Sequence, residues 1–481
     1  MSGSQQAAPR GMQRLPFPLD SYTHESLPLS AKRLINVCSE QAPDDARTKG
    51  ALISTTGLQV YLNVGTGPIV ALCGDYPGVT YVVSGTRAYR IRFLIDGTTP
   101  IDDLGDVGSP SIGSIAPYRL MVTIAADTIG AVICVPPNAF TCTHSGSLNQ
   151  LGGTFPGNAT SVAYVDGYYG FTSSDAYQKF FISHLLDPTN FDALDFAYAD
   201  AMPNNIYQVI SHRGEFWLLG DNGHEVWYDA GQADFPFRRR AGGVSNQGGA
   251  GPRSTARGDG SVFWVGYTDI VFRSNGYVPQ RISTHPIEQI IRAAGSAISV
   301  QSAFTYIENG HIYYVLNLPL RTLVYDCATQ TWHERSSSPD GSGRWVPDKA
   351  TYVADHTLFG ASNSSKIYIE DAAGAEEGRQ MLRQFTMPPL YAGTRRAFCS
   401  RLEVEMDNGH PAAGNVTLDW SNDGGYTFLG GPRAMVADPA TAARRVVTNR
   451  LGSFRQRVYR VSCTGKTTFY AVDADIQAGV T

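Results

Sequence analysis

The chain has 481 residues, 11% of them aromatic and only 17% charged, with 50 glycines and a formal net charge of −5. That balance suits many short strands joined by tight turns and excludes a helical bundle or a disordered tail. So small a net charge gives no sign of tight phosphate binding, which needs clustered Lys and Arg.

A chain this long holds more than one domain, or one large closed β-architecture with an appendage. Residues 1–50 are polar, Pro-containing and weakly periodic, and read as an extended arm with little secondary structure, ordered against a neighbour. Residues 1–20 have no apolar core behind a basic start, so no signal peptide is expected. No apolar run approaches the roughly 20 residues that span a bilayer. A soluble chain follows, without membrane insertion or an export address. The cysteines, Cys38, Cys73, Cys134, Cys142, Cys327, Cys399 and Cys463, are odd in number and form no CxxC pair. They argue against a disulfide framework or a zinc knuckle and for buried, reduced thiols. No cofactor is expected.

From residue 51 to 375 one texture recurs. Alternating, β-branched or aromatic runs occupy 79–91, 120–135, 162–171, 206–228, 262–272, 304–325 and 351–369. Turn signals break them: Ser84-Gly85, Asp166-Gly167, Asp221-Asn222-Gly223, Ser274-Asn275-Gly276 and Asn309-Gly310. Asn-Gly and Asp-Gly supply the positive φ of tight hairpins. A spacing of roughly 40–55 residues is that of four-stranded propeller blades, and Tyr325-Asp326, Thr329, Thr331 and Trp332 read as a blade ending. One hairpin pair cannot bury both its faces, and radial stacking supplies the missing core. An all-β propeller of six or seven blades is predicted. One helix is expected at 285–294, with Thr284 as cap, Pro286 early and Ile287, Ile290 and Ile291 on one face.

Near 376–393 the repeat stops. Strands at 400–406, 415–420, 444–448, 457–462 and 468–474 predict a C-terminal β-sandwich-like domain over 376–481.

Few motifs carry chemistry. Ser421, Asp423, Gly425, Thr427 and Phe428 fit S-x-D-x-G-x-T-[F/W], the Asp-box, in which the carboxylate accepts turn N–H bonds. Sialidases carry several such boxes; one box outside the repeat, with no cluster of arginines, nucleophile and acid, reads as a structural turn. HExxH, GxSxG and GxxxxGK[ST] are absent, and His224-Glu225 leads nowhere. Asp192, Asp195 and Asp200 lack the glycine and terminal Glu of a calcium loop. No catalytic or metal-binding residue is assigned. The sharpest basic cluster is Arg238-Arg239-Arg240, followed by a Gly-rich stretch with Arg253 and Arg257; it reads as a loop at a DNA channel or a subunit interface. Arg257-Gly258-Asp259 spells an adhesion tripeptide by chance. The sequons at Asn158, Asn363 and Asn415 mean little without export.

Several stretches, in order, resemble the packaged-DNA stabilisation proteins, or tail hub and nozzle proteins, of short-tailed bacteriophages. They are Ser30 to Val37 with Glu40, Tyr81 to Gly85, Val226 to Gly231 with Ala233 to Phe237, Val262 to Gly266, Asn275 to Thr284, Gly310-His311, Val324 to Asp326, Trp332 to Arg335, the Asp-box, and Arg450 to Arg455. The departures are Cys38, where an apolar residue or tyrosine is expected, and the stretch 118–143. The resemblance implies a virion structural protein, not an enzyme, assembled in the host cytoplasm. It implies a ring, usually of six copies, beneath the portal and its adaptor. Such a ring continues the channel for genomic double-stranded DNA without reading its sequence, helps retain packaged DNA, and holds tail fibres, spikes or a needle. Composition is compatible with that role, because many Lys or Arg contacts would hold a duplex that must slide. Two rival readings are a sialidase-like propeller glycosidase and a monomeric propeller adhesin or carbohydrate-binding module.

Overall fold

The computed structural model describes residues 11–46, 48–113, 115–407, 416–437 and 445–478. Seven four-stranded antiparallel arrays follow one another along the chain, the arrangement of propeller blades. Their first strands are Ile69–Tyr76, Thr123–Ala126, Ala159–Val165, Ile206–His212, Ala256–Gly258, Ser302–Glu308 and Pro347–Val353, and these open blades one to seven. Residues from all seven strands line one central cavity. Blades one to six are each continuous in sequence. Blade seven takes its fourth strand from upstream of blade one: Gly57–Asn63 pairs antiparallel with Lys366–Asp371, from Gly57 opposite Asp371 to Asn63 opposite Lys366. Gly57 is obligatory there, because a Cβ at that position would lie 1.9 Å from the Ala375 carbonyl oxygen.

The alternating runs become strands because their two faces pack against two neighbouring blades. Val165, Phe180 and Ile182 of blade three share a core with Val209, Phe216, Leu218 and Trp227 of blade four. Tight turns with both central residues at positive φ join first and second strands at Asp166-Gly167, Arg213-Gly214, Asp259-Gly260, Asn309-Gly310 and Ala354-Asp355. The helix spans His285–Ala293, with Ile287 and Ile291 buried between blades five and six. Thr284 makes no side-chain cap. Instead Glu288, buried in the first turn, accepts hydrogen bonds from Ser283 Oγ at 2.6 Å and Arg281 Nε at 2.8 Å.

The segment expected as an extended arm differs most from expectation. Met12–Arg14 pairs with Thr468–Ala478, Ala31–Ile35 with Arg383–Thr386, and Val37–Gln41 with Gly50–Ser54, which in turn pairs with Thr468–Ala478. Two sheets built from these strands and from Ala397–Met406, Thr417–Ser421, Arg445–Phe454 and Gln456–Cys463 enclose one core. Leu15, Leu34, Val37 and Leu52 lie in it beside Phe385, Leu402, Val461 and Phe469. These residues fall in short apolar clusters such as Leu34-Ile35 and Ala51-Leu52-Ile53, set among polar stretches, so the segment has weak periodicity and still fills the core.

The two parts are sewn together where the chain passes from sandwich to ring. Ala31–Ile35 runs parallel to Trp332–Arg335, the outer strand of blade six, and Arg33 forks onto Glu334 with two bonds of 2.8 Å. Behind it Arg335, 1% exposed, pairs with Glu308 at 3.2 Å, bonds the Tyr306 hydroxyl and the Thr56 carbonyl, and stacks 3.9 Å over Trp345. Glu308 in turn accepts the Thr56 N–H at 2.7 Å. His311 of blade six joins Glu40 of the sandwich, at 2.9 Å, to the buried Asp326, at 2.8 Å. All seven cysteines are buried and unpaired; burial pushes the Cys38 thiol up to about 12.

Arg335→Ala leaves Glu308 buried without its partner and is expected to cost about 3–5 kcal/mol in a urea unfolding experiment. Burial opposes protonation of His311, but the Asp326 and Glu40 carboxylates outweigh it and raise the pKa. The stabilisation from protonated His311 is therefore complete below about pH 6.5 and is lost as pH rises through the raised value. Midpoints measured across that window should fall for the native chain and stay flat, by comparison, for His311→Gln.

Candidate functional site

A cavity of about 730 Å³ lies on the propeller axis, lined by residues of all seven first strands. Its wall mixes the small side chains that close-packed first strands require, such as Ala71, Thr123, Val162 and Ala256, with polar ones such as Gln208 and Lys349. A charged pair spans it. Arg257, on the first strand of blade five, sends Nη2 to both carboxylate oxygens of Asp75 at 2.7 Å, on the first strand of blade one. Its Nη1 reaches the Ser211 hydroxyl of blade four at 2.7 Å. Blades six and seven lie between the two ends of this bridge on one side and blades two to four on the other, so it crosses the bore. The Asp75 carboxylate raises the pKa of Arg257.

The bridge sits at the face of the first hairpin turns. At the opposite face, the connection from blade one to blade two covers the axis. There the turn Pro117–Arg119 lies against Pro252–Ser254, the lead into blade five. Arg119 bonds Asp221 of blade four and, at 2.5 Å, the Tyr267 hydroxyl of blade five. Arg253 donates to the Pro117 carbonyl at 3.1 Å. Both mouths of the bore are thus obstructed by named contacts.

The basic cluster takes a different form from the loop expected of it. Arg238, Arg239 and Arg240 lie on Phe237–Ser245, the outer strand of blade four. Arg239 pairs with the buried Glu225 at 2.7 Å and with Asp200 at 2.5 Å. Arg240 pairs with Glu215 at 2.6 Å and covers the Tyr228 ring at 4.0 Å. Arg238 bonds only Gln232, at 2.7 Å. The glycines that follow are packed: a Cβ at Gly248 would meet the Asp221 carbonyl at 2.0 Å, and one at Gly249 the Tyr207 hydroxyl at 2.3 Å. Arg253 and Arg257 are apart from this strip, the first at the cap and the second inside the bore. Asp259, last of the adhesion-like tripeptide, is held by Arg273 at 2.5 Å.

At the Asp-box, Asp423 accepts the Thr427 N–H at 2.9 Å and its hydroxyl at 2.5 Å, while Ser421 Oγ accepts the Gly425 N–H at 2.8 Å. Bonds from Ser421 and Thr427 hold the Asp423 carboxyl below the usual carboxylate range. Phe428 is half-buried under the Arg460 guanidinium, 3.8 Å from its ring. His224 is buried, 5.1 Å from the stacked Trp217 ring, and desolvation lowers its pKa to about 4. Of the three aspartates considered for calcium, Asp200 is drawn to Arg239, and Asp192 accepts the N–H of Leu194. Asn415 lies outside the described residues. Sequence reasoning missed Asp75, Arg119 and Asp221, whose partners are 182 and 102 positions away. Nothing local marks such residues.

Both members of the Arg257–Asp75 pair keep more than a third of their side-chain surface, 45% and 40%. Arg257→Met is therefore expected to change stability by no more than about 1 kcal/mol in urea titrations.

A known protein family shares this architecture. The family model described as "Bacteriophage P22 Gp10, beta-propeller" matches residues 20–373. No curated protein matches. Among solved structures, the extracellular domain of a hybrid two-component system from B. thetaiotaomicron is 12% identical, with a TM-score of 0.42, covering 65% of this chain and 39% of that one. The computationally designed protein Ika8 is 11% identical (TM-score 0.40), covering 65% of this chain and 99% of its own. PorZ, a surface component of the type-IX secretion system of Porphyromonas gingivalis, is 8% identical (TM-score 0.38), covering 72% and 44%. This chain spans less than half of the two natural proteins. The family match runs from the sandwich strands of the N-terminal segment through all seven blades, and the chain belongs to the P22 Gp10 β-propeller family of phage DNA-stabilisation proteins.

Proposed function

We propose that this chain is a non-enzymatic structural subunit of a short-tailed phage's tail. Copies form a ring below the portal–adaptor complex, continue the DNA channel, help retain the packaged genome and anchor fibres, spikes or a needle. The observation that carries this reading is the family match over residues 20–373, joined to a propeller whose own bore is crossed by Arg257–Asp75 and capped by Pro117–Arg119. A duplex does not thread a bore blocked by side chains, so its path runs between subunits, around a common axis. Heterologous contacts closed by rotation build such a ring. The arginines expected to touch DNA are mostly committed inside the subunit: Arg239, Arg240 and Arg257 each hold a carboxylate. Retention then follows from ring geometry, with few cationic contacts to stall the sliding duplex.

The test is a tagged subunit imaged in whole particles, beside particles made without it. The expected result is a ring below the portal, with loss of packaged DNA when the chain is missing. A label elsewhere, full particles without the chain, or sustained cleavage of host polysaccharide by the pure protein would overturn it. Arg257→Met, which removes the bridge at one mouth of the bore, should leave retention and ejection unchanged; DNA leakage from that variant would count against a path between subunits.

A further inference from the structure

Arginines in this protein are mostly consumed by carboxylates, with one concentrated exception. Among the described residues, Arg395, Arg396, Arg433, Arg450 and Arg455 are all exposed and none has a carboxylate partner. They gather at one end of the sandwich. Arg396 bonds Ser453 Oγ at 3.2 Å, the Arg455 carbonyl accepts the Ala392 N–H at 2.8 Å, and Arg433 donates to the Arg450 carbonyl at 3.3 Å. Beneath them Arg457, 1% exposed, ties the hairpin down through the Leu451 and Ser453 carbonyls. Tyr391, Phe398 and Tyr426 stand open at the same end. Strand Gln456–Cys463 leads from this end back to the junction with the ring, roughly 25 Å at 3.3 Å per residue. The arginine end is thus the tip of the sandwich.

The counterpart lies on the propeller. In blade three, the connection from Ser183 to Asp195 exposes Leu185, Leu186 and Leu194, the last at 77%. Around them Asp187, Asp192 and Asp195 have no Lys or Arg partner among the described residues. Asp187 and Asp192 accept only local N–H and hydroxyl bonds, and Asp195 has His184 at 4.0 Å. The neighbouring connection of blade four adds Asp229 and Asp234, and Phe235 on it packs 5.7 Å from Phe180 of blade three. Asp229 and Asp195 both act on the Tyr168 hydroxyl, whose pKa is raised by burial first and by those carboxylates next. Of the cations on these blades, Lys179 stands over Phe196 and Arg238 bonds the neutral Gln232, neither paired with these carboxylates.

The sandwich joins the ring at blades six and seven, through Ile35 beside Glu334 and through Gly57–Asn63. Blades three and four lie across the ring from it. We infer that the arginine tip of one subunit's sandwich docks on the acidic, leucine-bearing rim of blades three and four of a second copy. The two surfaces match in charge, each carries exposed apolar side chains for a desolvated centre, and they sit on opposite sides of one molecule. Surfaces so placed cannot meet within a chain; they make a head-to-tail contact, the kind that closes rings. The inference rests on the ring proposed above and specifies its interface.

The experiment uses the full chain with the portal–adaptor complex. Because the natural cysteines are buried, a chain carrying Leu194→Cys and Phe398→Cys reports the contact selectively. Mild oxidation should give a ladder of covalent multimers up to the whole ring, and neither single substitution should. Separately, Arg395→Glu, Arg396→Glu and Arg455→Glu together should lower ring occupancy on the complex at least tenfold. Adding Asp187→Lys, Asp192→Lys and Asp234→Lys should restore it. All six residues are at the surface, and an unchanged melting temperature checks that the variants fold. Absence of the ladder, cross-links to portal or adaptor proteins instead, charge reversal without rescue, or duplex DNA captured by the arginine tip would each overturn the contact. If the native chain still forms its ring in those cases, only this inference fails; if it forms none, the tail reading fails with it.

Discussion

Everything in the propeller depends on the ladder between Gly57–Asn63 and Lys366–Asp371. A ring of sheets gains nothing from its seventh gap being left open, because the inner faces of blades one and seven would then meet water. The strand that closes it comes from the opposite end of the propeller segment, as the ring requires of a chain that winds once around. Close approach fixes its first residue as Gly57, packed against Ala375. The same passage carries Thr55 and Thr56 past Arg383, Arg335 and Glu308, so closure and attachment of the sandwich share one buried polar network. Each carbonyl and carboxylate in it meets a guanidinium or an N–H, which is the condition for burying such groups at all.

The repeat was legible because each blade solves the same local problem. Turns such as Asp166-Gly167 and Asn309-Gly310 carry their backbone preference in their own side chains. Arg213-Gly214 and Ala354-Asp355 adopt the same turn with weaker signals, and the tertiary context imposes the conformation. The strands of the N-terminal segment escaped notice for the opposite reason. Met12–Arg14 and Ala31–Ile35 find partners hundreds of residues away, and even the local pair Val37–Gln41 and Gly50–Ser54 sends Val37 and Leu52 into a core that other segments complete. The arginine triplet looked like a basic surface because sequence shows charges and not their partners; Glu215 and Glu225 are on neighbouring strands that face it.

Electrostatics here is an arrangement rather than a total. A net charge of −5 conceals ion pairs within blades, one pair thrown across the bore, and two unpaired surfaces of opposite sign. Within blades the pairs fix strand register, as Arg240 does over Tyr228 and onto Glu215. At the surface, unpaired charge costs little while exposed to water and becomes useful only when another surface removes that water.

Placing the closing strand upstream of blade one also sets a timetable for biosynthesis. Gly57–Asn63 leaves the ribosome about 300 residues before Lys366–Asp371, a wait of roughly 15–60 s at typical elongation rates. Met12–Arg14 and Gly50–Ser54 wait longer still, for Thr468–Ala478. Until their partner strands have been made, these edges are unmet hydrogen-bonding templates. The nascent polypeptide therefore presents these edges to chaperones and to its siblings while the blades are being made, and ring and sandwich close in turn as Lys366–Asp371 and then Thr468–Ala478 emerge.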